Sequence, residues 1–373
     1  MKSSSVESGR LPENGVSVVV CCHDSARLLP ETLARLAAQE VAPGTPWEVI
    51  VVDNASADGT ARVARECWPA DAPAPLRVVH EPQLGLSYAR WRGFAETRYE
   101  FVCFVDDDNW VGPGWVQLTA ELMAARPEVG ACGGFIEAAC EAPPPRWFER
   151  YKGAYAPGAQ GPAEGGDVTA RRFLMGAGLT VRKSAWRRLV DEGFHFRLVD
   201  RQGKKLTAGG DHELCFALCL AGWRLWYEPR LRLQHFLPAA RLHWTLFRRQ
   251  ARGAGLCEAG FDPYRFAFER AEAGDDAGRG RFTESWHWRT LVAIRYLVRR
   301  PFRLLLSPLF AFEGDYHIIW VERQLGRFRG MLERRRTYDR DVRAVREAAW
   351  RRPPPGPRAG GGESLFVGRA VGS

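Results

Sequence analysis

The stretch that most constrains this chain is Phe101 to Asn109, Phe-Val-Cys-Phe-Val-Asp-Asp-Asp-Asn. Five apolar residues in succession, two of them aromatic and two β-branched, fit a strand buried on both faces, the kind found in parallel sheets covered by helices. Four polar residues follow, and three adjacent carboxylates stand where that strand must end. In a partly buried position such charges repel one another strongly unless a cation lies between them. A hard divalent ion that takes oxygen ligands, Mg2+ or Mn2+, suits them best. A charge run on its own is more often a solvated turn. The preceding hundred residues favour a site.

Those residues repeat one unit. Val16 to Cys22 is an apolar strand, the loop His23-Asp24-Ser25-Ala26-Arg27 follows, and Leu29, Leu33 and Leu36 recur at helical spacing with Pro30 in the first turn. Trp47 to Val52 is a second strand, which delivers Asp53 and leads to a helix from Ala61 to Trp68. Leu76 to Glu81 is a third strand, and a helix from Gly85 to about Thr97, with Ser87 as its cap, precedes Phe101. Strands alternating with helices at this pace imply parallel pairing through right-handed crossovers. Ligands of such sheets bind beyond the carboxyl ends of the strands, so His23, Asp53 and Asp106 to Asp108 are expected on one edge.

The pattern changes after Asp108. A helix is expected from Pro113 to Ala125, a strand from Gly130 to Glu137, and an irregular stretch from Ala138 to Gly166 of the kind that forms binding loops or lids. Gly176-Ala177-Gly178 fits either close backbone approach to a ligand or tight packing. Gly209-Gly210-Asp211-His212-Glu213 opens a helix over Leu214 to Ala221, and Trp223 to His235 is rich in strand formers.

The 373 residues, 46% hydrophobic and 12% aromatic, can fill a large core. Of the net charge of +9, all belongs to the C-terminal third: Arg241 to Arg352 holds 24 arginines and no lysine against 14 acidic residues. Nine cysteines is an odd number and the first residues carry no apolar leader, so a reducing cytoplasm is expected. Cys215 and Cys219 lie one helical turn apart beside His212, but the paired spacing of a zinc site is missing, and core thiols are the better reading.

Taken in order, these motifs resemble the family 2 glycosyltransferases of the GT-A fold, the inverting bacterial polysaccharide type, over Val16 to Leu242. The resemblance implies a mixed, mainly parallel α/β sheet flanked by helices, with a Rossmann-like nucleotide-binding half. It implies a nucleotide-diphosphate sugar donor, a UDP-sugar favoured, bound by Cys21, His23, Asp24, Asp53, Arg90, Asp106 and Asp107. His23 stands where Tyr is more usual, and Trp91 where Asn is frequent after Gly-Leu-Ser-x-Ala-Arg. Asp106 and Asp108 match the acidic metal motif, with Asp106 nearer the ribose, and His235 resembles a histidine that completes the metal shell around Mg2+ or Mn2+. Inverting transfer needs a base for the acceptor hydroxyl. Asp211 aligns with it, Gly210 replaces the frequent Glu, and Glu213 is the second choice.

The expected organisation is a disordered segment 1–15, a catalytic domain 16–242, a helical basic and aromatic extension 243–350, and a disordered Pro- and Gly-rich tail 351–373. Within the extension, apolar clusters at Leu291 to Ile294, Leu304 to Leu306 and Leu309 to Phe312 alternate with Arg295, Arg299, Arg300 and Arg303. A spanning helix needs about 20 mostly apolar residues, so peripheral contact with an anionic membrane at its cytoplasmic face is preferred, against packing on the catalytic domain or a dimer face. Glu333 to Arg352 is expected as one charged helix. The acceptor is a glycan or lipid-linked hydroxyl. A nucleotidyltransferase would want a Gly-rich loop after the first strand, where Cys22-His23-Asp24-Ser25 stands. A nucleic-acid-binding protein lacks any supporting motif beyond charge.

Overall fold

The computed structural model describes residues 13–198, 209–274, 281–298 and 312–351. Most of the expected disordered segment 1–15, all but the first residue of the tail 351–373, and the stretch with Arg299, Arg300, Arg303 and the clusters at 304–306 and 309–311 lie outside the described residues.

The first half follows the sequence pattern. Strands β1 (Val16–Cys22), β2 (Trp47–Asn54), β3 (Leu76–Glu81) and β4 (Phe101–Asp106) pair in parallel in the order β3-β2-β1-β4. Helices α1 (Leu29–Ala37), α2 (Thr60–Cys67) and α3 (Leu86–Glu96) form the crossovers. Alternate residues of each strand serve opposite faces. Val19, Ile50, Val52, Val102 and Phe104 join one core with α3, while Val18, Val20, Val49, Val51 and Cys103 join another with Leu29, Leu33 and Leu36 of α1. The cap of α3 is Gly85 at φ +144°, without a side-chain bond, and Ser87 sits inside the first turn.

Beyond β4 the sheet becomes mixed. Short β5 (Asn109–Val111) leads through α4 (Trp115–Ala125) to β6 (Val129–Cys140), which runs three residues beyond Glu137. The stretch read as irregular contains α5 (Phe148–Tyr151) and a single turn of 3-10 helix, because Trp147, Phe148 and Tyr155 pack with Leu237, Trp244 and Phe247. Then come β7 (Gly166–Asp167), β8 (Thr180–Arg182), α6 (Lys183–Asp191), α7 (Gly210–Leu220) and β9 (Arg224–Leu237). Strand β8 is antiparallel to both β4 and β6, β6 and β9 are parallel, and β5 closes the edge antiparallel to β9.

The last third is helical: α8 (Trp244–Glu272), α9 (Trp286–Val298), α10 (Tyr316–Glu333) and α11 (Tyr338–Arg346). The charged helix expected over Glu333 to Arg352 therefore breaks after Glu333, and its second part turns Tyr338, Val342 and Val345 inward. Cys257, Phe261, Tyr264 and Phe268 of α8 share one core with Leu214, Phe216 and Leu218 of α7. The extension and the sheet are thus joined by apolar contact. No described helix is long and apolar enough to cross a membrane.

Candidate active site

Sheet register decides which loops meet. Cys22 pairs with Asp53 and Cys21 with Asp106, so these acids flank the carboxyl end of β1 on its two neighbours. With strands about 4.8 Å apart, Asp53 and Asp106 stand roughly 10 Å from each other across β1, a span that suits an extended ligand. Asp53 is buried, accepts from Ser56 N–H at 3.3 Å, and has His80 Nδ1 3.7 Å from its Oδ2. His23 donates from Nδ1 to the Asn54 carbonyl at 2.8 Å. That bond fixes the ring over the end of β2.

The loops after β1 and β2 are laced together. Asp24, at φ +51°, accepts from Ala57 N–H at 2.8 Å, and Asp58 accepts from Ala26 N–H at 2.9 Å. Asn54 supports the next loop, donating to Glu81 and Gln83 carbonyls and accepting from Gly85 N–H at 2.8 Å. The Cys21 thiol faces this region and stays neutral: burial pushes it up to about 12, with Arg90 opposing and Asp106 and Asp107 adding.

The turn from Asp106 to Asn109 is held by fully buried Asn109. Its Oδ1 accepts from Asp106 N–H at 3.2 Å, and its Nδ2 donates to Asp108 Oδ1 at 2.9 Å. The same residue pairs with His235 across β5 and β9. His235 Nδ1 lies 2.8 Å from the Tyr155 carbonyl, which can only accept, so Nδ1 carries the proton and Nε2 presents a lone pair. That lone pair is 3.3 Å from Asp108 Oδ2. Two electron-rich buried atoms this close need a positive group, and Arg241 Nη1 supplies it at 3.1 Å from Asp108 Oδ2 and 3.2 Å from His235 Nε2.

A second corner forms around Asp211 at the start of α7. Its Oδ2 accepts from Gly176 N–H at 2.9 Å, and its Oδ1 accepts from His212 N–H at 2.9 Å, with His212 Nδ1 at 3.1 Å. A Cβ at Gly176 would lie 3.0 Å from both Arg90 Nη2 and Asp211 Oδ2, a tight fit that would press on both side chains. Burial disfavours the charged carboxyl, but His212, Arg90 and the accepted hydrogen bonds outweigh it and hold Asp211 well below the usual carboxylate range. His212 is clasped between Phe173 and Phe261, with ring centroids 4.4 and 5.5 Å away. Arg90 acts on both Asp211 and Cys21, and Asp106 acts on Cys21, which links the two corners electrostatically.

Residues 17–201 match the model of glycosyl transferase family 2. The chain is 23% identical over 240 residues to glucosyl-dolichyl phosphate glucuronosyltransferase of Haloferax volcanii, covering 62% of this chain and 73% of that one. It is 33% identical over 135 residues to succinoglycan biosynthesis protein ExoM of Rhizobium meliloti, covering 36% of this chain and 42% of the relative. Several other curated glycosyltransferases are matched over a third or less of their own length. Among solved structures, mannosyltransferase PcManGT from Pyrobaculum calidifontis superposes with a TM-score of 0.50 at 19% identity, over 87% of this chain and 88% of that one, which shows a shared fold.

The chain carries a glycosyl transferase family 2 domain over residues 17–201. Its GT-A sheet carries Asp53, Asp106 and Asp107 on one edge, with the Asp108 and Asp211 corners beside them. Glu213 is turned away from this edge: it is fully buried, and accepts from Arg197 N–H and Leu198 N–H at 2.9 Å and from Tyr264 Oη at 2.6 Å. Its carboxylate fastens α7 to α8 and does not face a ligand. Burial raises it to about 7, with the accepted hydrogen bonds opposing. Asp24 is occupied in joining two loops, with one oxygen on Ala57. Asn109, Arg241 and His212 complete the two candidate corners; Asn109 closes the acidic stretch and His212 lies between two expected acids, whereas Arg241 belongs to no motif. The groove of about 260 Å³ lined by Arg35, Trp110, Glu137 and Arg232 lies beyond β5, and none of these site acids lines it. Cys215 is buried in the core that α7 shares with α8. All nine cysteines are unpaired.

Proposed function

We propose that this protein transfers a sugar from a nucleotide-diphosphate donor to a hydroxyl of a glycan or lipid-linked acceptor, with inversion at the anomeric carbon. The observation that carries the proposal is the pairing of two corners on one sheet edge: a cation-demanding pair, Asp108 with His235, and a buried ionised carboxylate, Asp211. In this reading His23 lies against the base, Asp53 and Asp106 take the base and ribose, and Arg90 with Asp107 completes the donor pocket. Asp211 receives the proton of the acceptor hydroxyl as that oxygen attacks from the side opposite the leaving nucleotide. The relative in H. volcanii is named for a dolichyl phosphate-linked substrate, which supports a lipid-linked acceptor.

Among the described residues no group of three or more His, Cys, Asp or Glu side chains forms a metal cage. The donor set nevertheless fits Mg2+ or Mn2+, ions commonly held by one or two protein ligands together with phosphate oxygens. Asp108 Oδ2 and the Nε2 lone pair of His235 face the same point, and PcManGT is described with GDP-Man and Mn2+. Asp108 and His235 would hold the ion. Once bound, it supplies charge stabilisation to the departing diphosphate. Arg241 Nη1 fills that point in this structure, so binding of the ion displaces its guanidinium, and Asn109 keeps Asp108 turned toward the corner.

His212 is the second candidate for the base. Asp211 already accepts three inner hydrogen bonds, and one of them orients His212, whose Nε2 could take the proton instead, with Asp211 as its anchor.

The test is a donor screen by mass spectrometry with Mn2+, followed by assignment of the product's anomeric configuration by NMR. Transfer or donor hydrolysis that depends on Asp108, with inverted product, supports the proposal. Absence of turnover with every nucleotide sugar, together with unchanged nucleotide binding in Asp108→Ala, would remove it.

A further inference from the structure

Helix α9 is amphipathic in the reverse sense. At about 100° per residue, Trp288, Leu291, Ile294, Arg295 and Val298 fall within one arc of roughly 120°, and all five are exposed, Leu291 by 56% and Val298 by 68%. The opposite arc faces the protein with Arg289, Thr290 and Ala293. Thr290 and Ala293 are buried, and Arg289 lies 3.6 Å from Asp262 of α8. Trp286 anchors the inner side by donating from Nε1 to the Met331 carbonyl of α10 at 2.7 Å. A surface helix normally buries its apolar stripe and hydrates its charged one. Here the aliphatic residues point to solvent.

The patch continues past the helix. Phe282, 71% exposed, packs on Trp288 with ring centroids 5.6 Å apart, and Tyr296 is exposed as well. The charge carried by the helix itself has one sign. Arg281 and Arg295 are exposed, α9 contains no acidic residue, nearby Glu284 is buried against Arg270 at 2.8 Å, and Asp339 is engaged at the inner end of the helix, where it accepts from Trp286 N–H at 2.8 Å.

We propose that this face of α9 docks on an anionic lipid bilayer, with Trp288, Leu291, Ile294 and Val298 in the acyl boundary and Arg281 and Arg295 at the headgroups. Aromatic and aliphatic side chains on a helix surface, edged by arginine on a helix that contains no acidic residue of its own, match the chemistry of that interface. A second copy of the chain fits the charge less well, because a two-fold contact would set arginines against arginines with no carboxylate of α9 to pair them. The docking is independent of which donor or acceptor the transferase uses.

Flotation of the full-length chain with vesicles tests it. The protein should float with phosphatidylglycerol-containing vesicles at low ionic strength, less with pure phosphatidylcholine, and less again as salt is raised. The double variant Leu291→Ser with Ile294→Ser should bind roughly a hundredfold more weakly, about tenfold for each side chain withdrawn from the boundary. Arg295→Glu should remove the preference for anionic lipid. Both positions are exposed, so unchanged thermal unfolding of the variants certifies the fold. Failure of the wild type to float with anionic vesicles overturns the proposal. So does a wild-type dimer in sedimentation velocity that the double variant converts to monomer without any change in flotation.

Discussion

Asp211 is held at three points by the protein, and the groups that hold it also set its chemistry. Because His212 and Arg90 keep its carboxyl ionised far into acid, a base of this kind is in its working form throughout the neutral and mildly acidic range. If Asp211 takes the proton, kcat/KM loses nothing between about pH 7 and pH 5, and Asp211→Asn lowers kcat by about 10²- to 10⁴-fold with little change in donor affinity. If His212 takes it, His212→Gln loses as much of kcat as Asp211→Asn does. Comparing kcat of the two variants separates the assignments. Glu213 behaves in the opposite way. Its folded-state value of about 7 lies above the ordinary 4.5, so folding takes up a proton between them. The stability from this group is complete below about pH 4.5 and is lost as pH rises through 7, an effect on the order of 3 kcal/mol. Urea titrations across that window should show the wild type weakening relative to Glu213→Gln, with the slope against pH as the readout. The order of motifs made Asp106, Asp108 and Asp211 legible as a set. Arg241 and Asn109 were not legible, since their partners are fixed by strand register and by the turn after Pro238, not by sequence spacing.

Among the elements, the pair α8 and α10 shows how the extension is built. A Cβ at Gly326 would come within 2.0 Å of the Arg252 carbonyl, and one at Gly255 within 2.1 Å of the Arg323 carbonyl, so the two backbones touch at glycines from both sides. Around that seam Glu322 pairs with Arg248 and Arg252, and Glu258 with Arg327. Gly326→Ala should push the helices apart at a cost of about 1–3 kcal/mol and lower the Tm by a few degrees. Gly153→Ala, where the added methyl meets nothing within 4 Å, should not. Differential scanning calorimetry compares them. At this scale the long parallel strands were readable, because their apolar runs are buried on both faces. The antiparallel β5 and β8 were not: three residues are too few to show a period, and their pairing depends on β4, β6 and β9. The helices within 138–166 were missed for a related reason, since Trp147 and Tyr155 owe their burial to the distant α8.

The whole molecule divides by charge, with a slightly acidic sheet half and an arginine-rich helical third. Much of that positive charge is spent inside the fold on Glu258, Asp262, Glu284 and Glu322, which composition alone does not reveal. In the proposed function, the sheet edge binds a nucleotide diphosphate through a cation held by Asp108 and His235. Calorimetric titration of UDP into the full-length protein, with and without Mn2+, tests it most directly. Binding should strengthen at least about tenfold with Mn2+, a gain of roughly 1.4 kcal/mol, and the gain should vanish in Asp108→Asn and in His235→Ala. Binding of UDP and of GDP that is equally tight without the metal, and unchanged in both variants, would contradict it.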